Sequence, residues 1–181
     1  VGNSYGIVGI FKNGEGPTIL YRTDMDALPM SEKTGLPYAS NKTYTTNGTT
    51  SGVMHSCGHD MHMTTWLGTA RALIKMKNQW KGTLMLIGQP AEEIGAGAKA
   101  LLEGGIYETF GVPNYAIGLH CSPTIPAGKV GYGKGYTMAA SESVTITVYG
   151  IGAHGASPHM SVDPIVLSSM LIMELQTITS R

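Results

Sequence analysis

The sequence has little charge, few cysteines and no long apolar run, and each shortage excludes a class of protein. Charged residues make up only 13% of the 181 residues, and twelve basic side chains balance twelve acidic ones without a basic stripe. We therefore expect no nucleic-acid partner. Two cysteines do not make a disulfide framework. No apolar run approaches the roughly 18–20 residues that span a bilayer, so we expect no membrane segment.

Hydrophobic residues and glycines indicate a folded α/β domain with many tight turns. Hydrophobic residues account for 42% of the chain, and there are 25 glycines. The length suits one domain, or one domain with part of another. The chain starts at Val1 without a methionine and stops at Arg181 inside a helical pattern, so we expect a fragment of a longer protein. Without a natural N-terminus, the compartment (cytoplasmic or periplasmic) stays open.

Apolar periodicity predicts strands that alternate with helices. Strands are predicted at residues 5–12, 17–22, 82–89, 115–120, 129–133 and 143–149, and helices at 59–77, 97–103 and 163–178. The first two strands flank a turn typical of a hairpin, and residues 31–51 are predicted as a loop. This alternation favours a largely parallel or mixed sheet covered by helices. A change of pattern near residue 138 predicts two domains, 1–137 and 138–181.

The run from His55 to His62 concentrates metal-binding side chains. It holds His55, Cys57, His59, Asp60 and His62 within eight residues, although the whole chain has only six histidines and two cysteines. Imidazole, thiolate and carboxylate groups are the ligands that a borderline transition metal prefers. A solvated loop or a helix cap is the simpler alternative for such a run.

Further candidate ligands follow three predicted strands. Asp24 and Asp26 are two residues apart at one strand end, where an extended chain turns both carboxylates to the same face. Glu92 and Glu93 follow a buried strand, and in an extended segment one could bind metal while the other faces a water. His120 follows a third strand. Singly, each could be a cap, a solvated turn or a structural histidine, but together they predict a metal centre at one sheet edge.

Five sequence blocks resemble the M20 metallopeptidases. They are Arg-Thr-Asp-Met-Asp-Ala-Leu-Pro (22–29), His-Ser-Cys-Gly-His-Asp-Met-His (55–62), Gln-Pro-Ala-Glu-Glu (89–93), Gly-Leu-His (118–120) and Gly-Ala-His-Gly-Ala-Ser-Pro (152–158). Within that family the chain is most similar to the amidohydrolases of N-acyl amino acids, such as the hippurate and auxin-conjugate hydrolases. The resemblance implies a zinc-peptidase-like catalytic domain with a mixed sheet flanked by helices. It also implies the start of an inserted α+β lid or dimerisation domain.

The resemblance also implies residue roles. Glu92 matches the general base, Asp26 a carboxylate that orients the site, and His154 a lid-domain histidine that stabilises the oxyanion, supplied in related enzymes by the partner subunit. The matching metal ligands are Cys57, His59, Glu93 and His120. The Cys57 thiolate would bridge two divalent metal ions. Zn or Mn is the expected metal, and Co or Ni would suit the same ligands. A last ligand of the family would lie beyond residue 181.

The implied activity is hydrolysis of the amide bond of an N-acyl amino acid by a metal-activated water, in a homodimer joined through the lid domain. Three alternatives stay open. Cys57 could be the nucleophile of a thiol hydrolase, with His59 as its base. The chain could be a metal-binding module without turnover. A dipeptidase or aminopeptidase of the same family is the third.

Overall fold

A mixed four-stranded sheet lies at the centre of the first part of the chain. The computed structural model describes residues 5–140 and 142–179. The strands are β1 (Ile7–Asn13), β2 (Thr18–Asp24), β3 (Thr43–Thr46), β4 (Thr49–Gly52), β5 (Gly82–Gln89) and β6 (Tyr115–Gly118). The α-helices are α1 (His59–Lys75), α2 (Gly97–Glu103), α3 (Ile106–Phe110) and α4 (Pro164–Leu175). The chain divides into two compact units, Val1–Lys129 and Val130–Arg181.

Strand β5 lies between β1 and β2, and the sheet order is β1-β5-β2-β6. β1 is antiparallel to β5, whereas β2 is parallel to both β5 and β6. The mixed sheet with flanking helices confirms the predicted fold class of the catalytic part. The hairpin predicted for the first two strands is wrong, because the apolar β5 is buried along nearly its whole length and takes a strand on each edge.

Alternate residues of β2 and β5 build two apolar layers. On one face Leu20, Met85 and Ile87 pack with Leu101 of α2 and Ile106 of α3. The opposite layer joins the sheet to α1 and consists of Tyr21, Leu84, Leu86 and Ala70. Because side chains of a strand alternate between faces, each layer draws every second residue from the same two strands.

Helix α1 is the long predicted helix, and it delivers the His-rich run to the sheet. It starts after Gly58, whose φ of 80° is left-handed, and ends at Lys75 instead of Lys77, where a short 3₁₀ turn follows. The Trp66 indole N–H donates to the Tyr21 carbonyl at 3.0 Å. This bond fixes α1 to β2 beside the apolar layer that the helix and the sheet share.

The polar segment predicted as a loop contains a hairpin. Strands β3 and β4 pair antiparallel around Asn47 and Gly48, which have φ values of 49° and 74°. The Thr45 and Thr50 hydroxyls lie 2.7 Å apart across it. Its residues are largely exposed on both faces, so the sequence lacks the apolar alternation that signals a strand, and the Asn-Gly turn was the available signal.

The second unit confirms the predicted helix start. Asp163 accepts hydrogen bonds from the backbone N–H groups of Ile165 (2.8 Å) and Val166 (3.3 Å), and Pro164 is the first helical residue. The helix ends at Leu175, before the predicted residue 178. The strands predicted at 129–133 and 143–149 are wrong for the described residues, because neither segment has a ladder partner there. The domain bounds at 137 and 138 stay a prediction.

Within residues 5–140 and 142–179, no helix has both the length and the apolar character that crossing a bilayer requires.

Candidate metal centre

The carboxyl ends of β2, β5 and β6 meet at one edge of the sheet. Because β2 is parallel to both neighbours, Asp24 lies beside Gln89, and Arg22 beside Gly118. The segments that leave these ends carry Asp26, the Glu92–Glu93 pair and His120. Helix α1 begins at the same edge with His59, whose ring contacts several of these groups. The structure therefore brings the strand-end residues together as predicted, at the edge where open α/β sheets bind ligands.

Gly58 allows the tight turn between Cys57 and His59. Its φ of 80° is favourable only for glycine, and a Cβ at this position would collide with Cys121 Sγ. The Cys121 thiol donates to the Cys57 carbonyl at 3.3 Å. The turn that carries two of the predicted ligands is thus packed directly on the residue after His120.

His59 is buried at the centre of the site and is oriented for metal binding. Its Nδ1–H donates to the Asp26 carbonyl at 2.8 Å, which leaves a lone pair on Nε2. That Nε2 lies 3.6 Å from Asp24 Oδ2 and 3.7 Å from one carboxylate oxygen of each of Glu92 and Glu93. A backbone carbonyl that holds the far nitrogen is the usual support of a metal-binding histidine.

Among residues 5–140 and 142–179, three buried polar atoms of this cluster find no hydrogen-bond partner: His59 Nε2, Asp26 Oδ1 and Glu93 Oε1. Buried polar atoms almost always form a hydrogen bond, since a buried atom without one has lost its hydrogen bonds to water and gained none in exchange. The His59 Nε2 lone pair lies 3.7 Å from Glu93 Oε1 and 3.7 Å from a Glu92 oxygen, an arrangement that a cation satisfies, whereas Asp26 Oδ1 lies 3.3 Å from the other ring nitrogen, Nδ1. The residues present therefore fit a divalent metal ion.

Glu92 and Glu93 lie in a turn. The extended segment that was expected there from the sequence is wrong. Ala91 has a left-handed φ of 49°, and Gly95 N–H donates to the Glu92 carbonyl at 2.8 Å. The Glu93 N–H donates to Asp26 Oδ2 at 3.0 Å, which fixes the turn to the end of β2. Because the backbone curls, both carboxylates approach His59 instead of pointing in opposite directions.

Cys57 and His120 form the other side of the site. His120 Nδ1–H donates to the Cys121 carbonyl at 2.6 Å, so Nε2 is the nitrogen that faces Cys57 Sγ at 3.4 Å. Of the four groups of described side chains that could each hold a metal, two consist only of predicted site residues, with ligand atoms within 4.8 Å of one another. These groups are Cys57, His59 and His120, and His59, Glu92 and Glu93. His59 belongs to both.

Burial and the carboxylates raise the pKa of the Cys57 thiol. Removal from water acts most strongly, followed by the charge and hydrogen bond of Glu93 and the charge of Glu92. The nearby Cys121 adds to the effect. A bound cation has the opposite influence, because positive charge favours the thiolate.

Sequence reasoning missed the importance of Asp24, and it gave no individual role to His62 or to Cys121. Asp24 and His62 are 1% and 5% exposed and lie 2.6 Å apart. Burial alone would raise the pKa of Asp24, but the His62 hydrogen bond and the charge of Arg22 outweigh it and lower that pKa. The spacing of His62, three residues after His59 on one helix face, was an available signal. Cys121 had none.

His154 lies in the second unit and is exposed. Its Nδ1 accepts a hydrogen bond from the Ala156 N–H at 3.1 Å. This contact is local to its own turn, and the role of His154 stays a prediction. His55 donates from Nδ1 to the Asp26 carbonyl at 3.1 Å, beside the bond from His59.

Curated relatives share most of this chain. It is 46% identical over 167 residues to the N-acetyl-L-cysteine deacetylase of Bacillus subtilis, which covers 92% of the chain and 38% of the relative. It is 44% identical over 177 residues to the hippurate hydrolase of Campylobacter jejuni, which covers 97% of the chain and 43% of the relative. The chain therefore spans less than half the length of either protein.

Solved structures show the same fold. A proposed aminohydrolase from methicillin-resistant Staphylococcus aureus aligns with a TM-score of 0.69 at 38% identity, over 97% of this chain and 44% of that one. A Bacillus subtilis protein described as a dinuclear metal-binding peptidase of the M20 family aligns with a TM-score of 0.57 at 41% identity, over 67% of this chain and 31% of that one.

Family membership follows from both the site and the sequence match. Residues 20–174, which include Cys57, His59, Glu93 and His120, match peptidase family M20/M25/M40. The resemblance read from the five blocks is confirmed, and the chain belongs to this family.

Proposed function

We propose that the full-length protein is a metal-dependent hydrolase that cleaves the amide bond of N-acyl amino acids. The observation that carries this proposal is the set of buried, unpartnered atoms around His59, within a thiol, imidazole and carboxylate cluster. The named relatives supply the substrate class. N-acetylcysteine and hippurate each join a carboxylic acyl group to an amino-acid nitrogen.

The predicted ligands are Cys57, His59, Glu93 and His120, and they would hold two divalent ions. Zn or Mn suits a site that mixes sulfur, nitrogen and oxygen donors, and Co or Ni fits the same set. When bound, such ions lower the pKa of a water and polarise the substrate carbonyl. Asp26 supports this arrangement from the side, because it fixes both the His59 ring and the Glu93 backbone.

Glu92 is the proposed general base. It approaches His59 Nε2 as closely as Glu93 does, yet its side chain is more exposed, at 36% against 22%. An open carboxylate can take the proton of the attacking water and pass it to the leaving nitrogen. Glu93 is the better ligand because its backbone is fixed by Asp26 and one of its oxygens is buried without a partner.

His154 is proposed to stabilise the oxyanion, contributed by the partner subunit of a homodimer. The surface of α4 supports a dimer, since Ile165 and Ile172, two turns apart on one face of the helix, are 75% and 59% exposed. Exposed apolar patches of this kind are typical of protein interfaces.

Cys57 is poorly suited to be the nucleophile of a thiol hydrolase. A catalytic cysteine needs a lowered pKa, whereas burial and two glutamates raise the pKa of Cys57. The histidine that faces its sulfur is His120, not His59.

The deciding experiment compares Glu92→Gln with Glu93→Gln in the full-length protein. Turnover is measured on N-acetyl, N-benzoyl and indole-acetyl amino acids and on dipeptides, and metal content by atomic emission. We expect Glu92→Gln to lose at least about 10²-fold in kcat with metal content unchanged, and Glu93→Gln to lose metal as well.

Each alternative predicts a different result. A thiol hydrolase would keep its activity in EDTA and lose it to iodoacetamide. Preference for dipeptides would favour the peptidase reading, and metal content without turnover on any substrate would favour a binding module. Substantial activity in Glu92→Gln would refute the role given to that residue.

A further inference from the structure

We infer that His62 is a positioning residue that holds the His120–Cys121 segment against the Cys57–His59 turn, and that it does not bind metal itself. The inference rests on the proposed function, because it concerns how the metal ligands are kept in place. His62 falls within two clusters that could hold a metal by composition, one with Asp24 and His59, the other with His120 and Cys121. Its hydrogen bonds argue against a ligand role, because they occupy both ring nitrogens.

Both ring nitrogens of His62 are already engaged. The Cys121 backbone N–H donates to Nε2 at 2.8 Å, so the ring proton sits on Nδ1 and is donated to Asp24 Oδ1 at 2.6 Å. The ring is 5% exposed and the carboxylate 1%. A metal ion would need the Nε2 lone pair that the Cys121 amide occupies. The backbone N–H would then be left buried without an acceptor.

Asp24 is itself held, so it can orient the imidazole. Its Oδ2 forms an ion pair with Arg22 Nη1 at 2.8 Å, and the Arg22 Nε–H donates to the Gln89 amide oxygen at 2.9 Å. The chain of contacts thus runs from the end of β5 through β2 and helix α1 to the segment after β6. Four elements that are distant in sequence are joined at one carboxylate and one ring.

Cys121 is fastened on two sides. Its amide is bound by His62, and its thiol donates to the Cys57 carbonyl at 3.3 Å. The Cys121 carbonyl accepts the Nδ1–H of His120 and so sets the plane of that ring. Through these bonds His62 determines where His120 Nε2 lies relative to Cys57 Sγ, a separation of 3.4 Å. Outer partners of this kind typically change metal affinity by about 10–100-fold when removed.

Two substitutions separate the functions of the two nitrogens. In His62→Gln the amide oxygen can reach the position of Nε2 and still accept from Cys121. In His62→Asn the amide nitrogen can reach the position of Nδ1 and donate to Asp24, but the acceptor for Cys121 is lost. The full-length protein is compared in both forms, by amide hydrogen exchange at Cys121 in the metal-free state and by Zn²⁺ affinity from competition with a chelator.

We expect His62→Asn to speed exchange of the Cys121 amide by at least tenfold and to weaken Zn²⁺ binding by about 10–100-fold. His62→Gln should stay within about threefold of the wild type in both measurements. Equal losses in both variants, or unchanged affinity in His62→Asn, would overturn the positioning role. If the wild type bound no Zn²⁺, the proposed function would fail, while the exchange comparison would still test whether His62 holds the segment.

A measurement on the wild type avoids any folding defect of the variants. Protein with ¹⁵N-labelled histidine is loaded with ¹¹³Cd²⁺, and the ring nitrogens are followed by NMR. His59 and His120 should show coupling to cadmium, whereas His62 should keep an Nδ1–H tautomer without coupling. Cadmium coupling at His62 would make it a ligand and end the inference.

Discussion

Asp24 is the residue on which the charges of the site converge. It is 1% exposed, and it contacts Arg22, His59 and His62. Burial opposes its ionisation, but the His62 hydrogen bond and the neighbouring positive charge outweigh burial and lower its pKa. A carboxyl group whose pKa is lower in the folded state stabilises that state above the pKa of the unfolded chain. The contribution is lost as the pH falls through the folded-state value.

Asp24→Asn should therefore destabilise the protein in a pH-dependent way. At pH 7 we expect a loss of about 1–3 kcal/mol in the free energy of unfolding, because buried groups that bond to a charge lose their partner. The difference from the wild type should shrink below about pH 4, the ordinary range of an aspartate. Urea unfolding between pH 7 and 3 measures it. Asp60→Asn, an exposed position of α1, is the control, and a pH-independent difference at Asp24 would contradict the sign of its pKa shift.

At Gly58, two separate constraints require a glycine. Its φ of 80° disfavours any side chain, and a Cβ would also strike Cys121 Sγ. Gly68 in the same helix is the natural comparison, because nothing lies within 4 Å of a Cβ built there and its backbone is ordinary helix.

The two glycines should respond to alanine with opposite signs. Gly58→Ala should lower the free energy of unfolding by about 1–2 kcal/mol from backbone strain alone, with further loss of metal affinity as Cys121 moves. Gly68→Ala should raise it by up to about 1 kcal/mol, since alanine is the better helix former. Thermal unfolding of the metal-free protein measures both. If Gly58→Ala were as harmless as Gly68→Ala, the turn would not need its left-handed residue.

At the scale of elements, one side chain connects the end of β1 to the segment that leads into β5. The Asn13 amide donates to the carbonyls of Lys77 and Trp80, each at 2.7 Å. These carbonyls lie in the connection between α1 and β5. Asn13 thus closes the end of β1 onto the chain that leads into its partner strand, and it helps β1 to pair there instead of with β2.

Asn13→Asp keeps the shape of the side chain and removes both donors. We expect the free energy of unfolding to fall by about 1–3 kcal/mol and the amides of β1 to exchange faster than those of β2. Asn78→Asp, at an exposed position of the same connection, should change stability by less than about 0.5 kcal/mol. Hydrogen exchange resolved by strand distinguishes the two. Equal acceleration in β1 and β2 would mean that Asn13 stabilises the sheet as a whole and not this pairing.

Periodicity predicted the elements well and their partners poorly. The apolar run 82–89 and the helical face of α1 were found because burial leaves its pattern in the local sequence. Pairing of β1 with β5 joins residues that are 69 to 81 positions apart, and no local pattern encodes it. Residues 143–149 alternate as a strand does, yet the described residues offer them no partner. An alternating pattern predicts which face of a strand is buried, but it does not predict which strand is its partner.

The absence of long-range information in a local pattern also explains which contacts of the site could be predicted and which could not. The ligand types and their places at strand ends predicted that Asp26, the glutamate pair and His120 would meet, because parallel strands share an edge. The bond between the Cys121 amide and His62 crosses 59 residues and involves a backbone group that every residue except proline has. Residue identity could not reveal it. The turn at Ala91 was missed for a similar reason, since its left-handed backbone belongs to a residue that rarely adopts it.

At the scale of the whole molecule, the proposed ligands tie together distant parts of the chain. Cys57 precedes α1, His59 is the first residue of α1, Glu93 follows β5, and His120 follows β6. These groups converge only in the folded protein. A cation that they hold binds the folded state more tightly than the unfolded chain, and it stabilises the fold by an amount set by its concentration and by the difference between the two affinities.

Metal removal should therefore lower the melting temperature of the full-length protein, and added metal should restore it. At a free concentration 100 times the dissociation constant, the gain in unfolding free energy is about 2.7 kcal/mol. Because thiolate and imidazole favour borderline ions over hard ones, Zn²⁺ should restore the melting temperature at far lower concentration than Mg²⁺. His120→Ala should reduce the gain from Zn²⁺, and it should lower the metal-free melting temperature only as far as the loss of the hydrogen bond from His120 Nδ1 to the Cys121 carbonyl requires. Equal stabilisation by Mg²⁺ and Zn²⁺, or an undiminished gain in His120→Ala, would show that the ion binds through carboxylates alone and that the sulfur and nitrogen side of the site is not used.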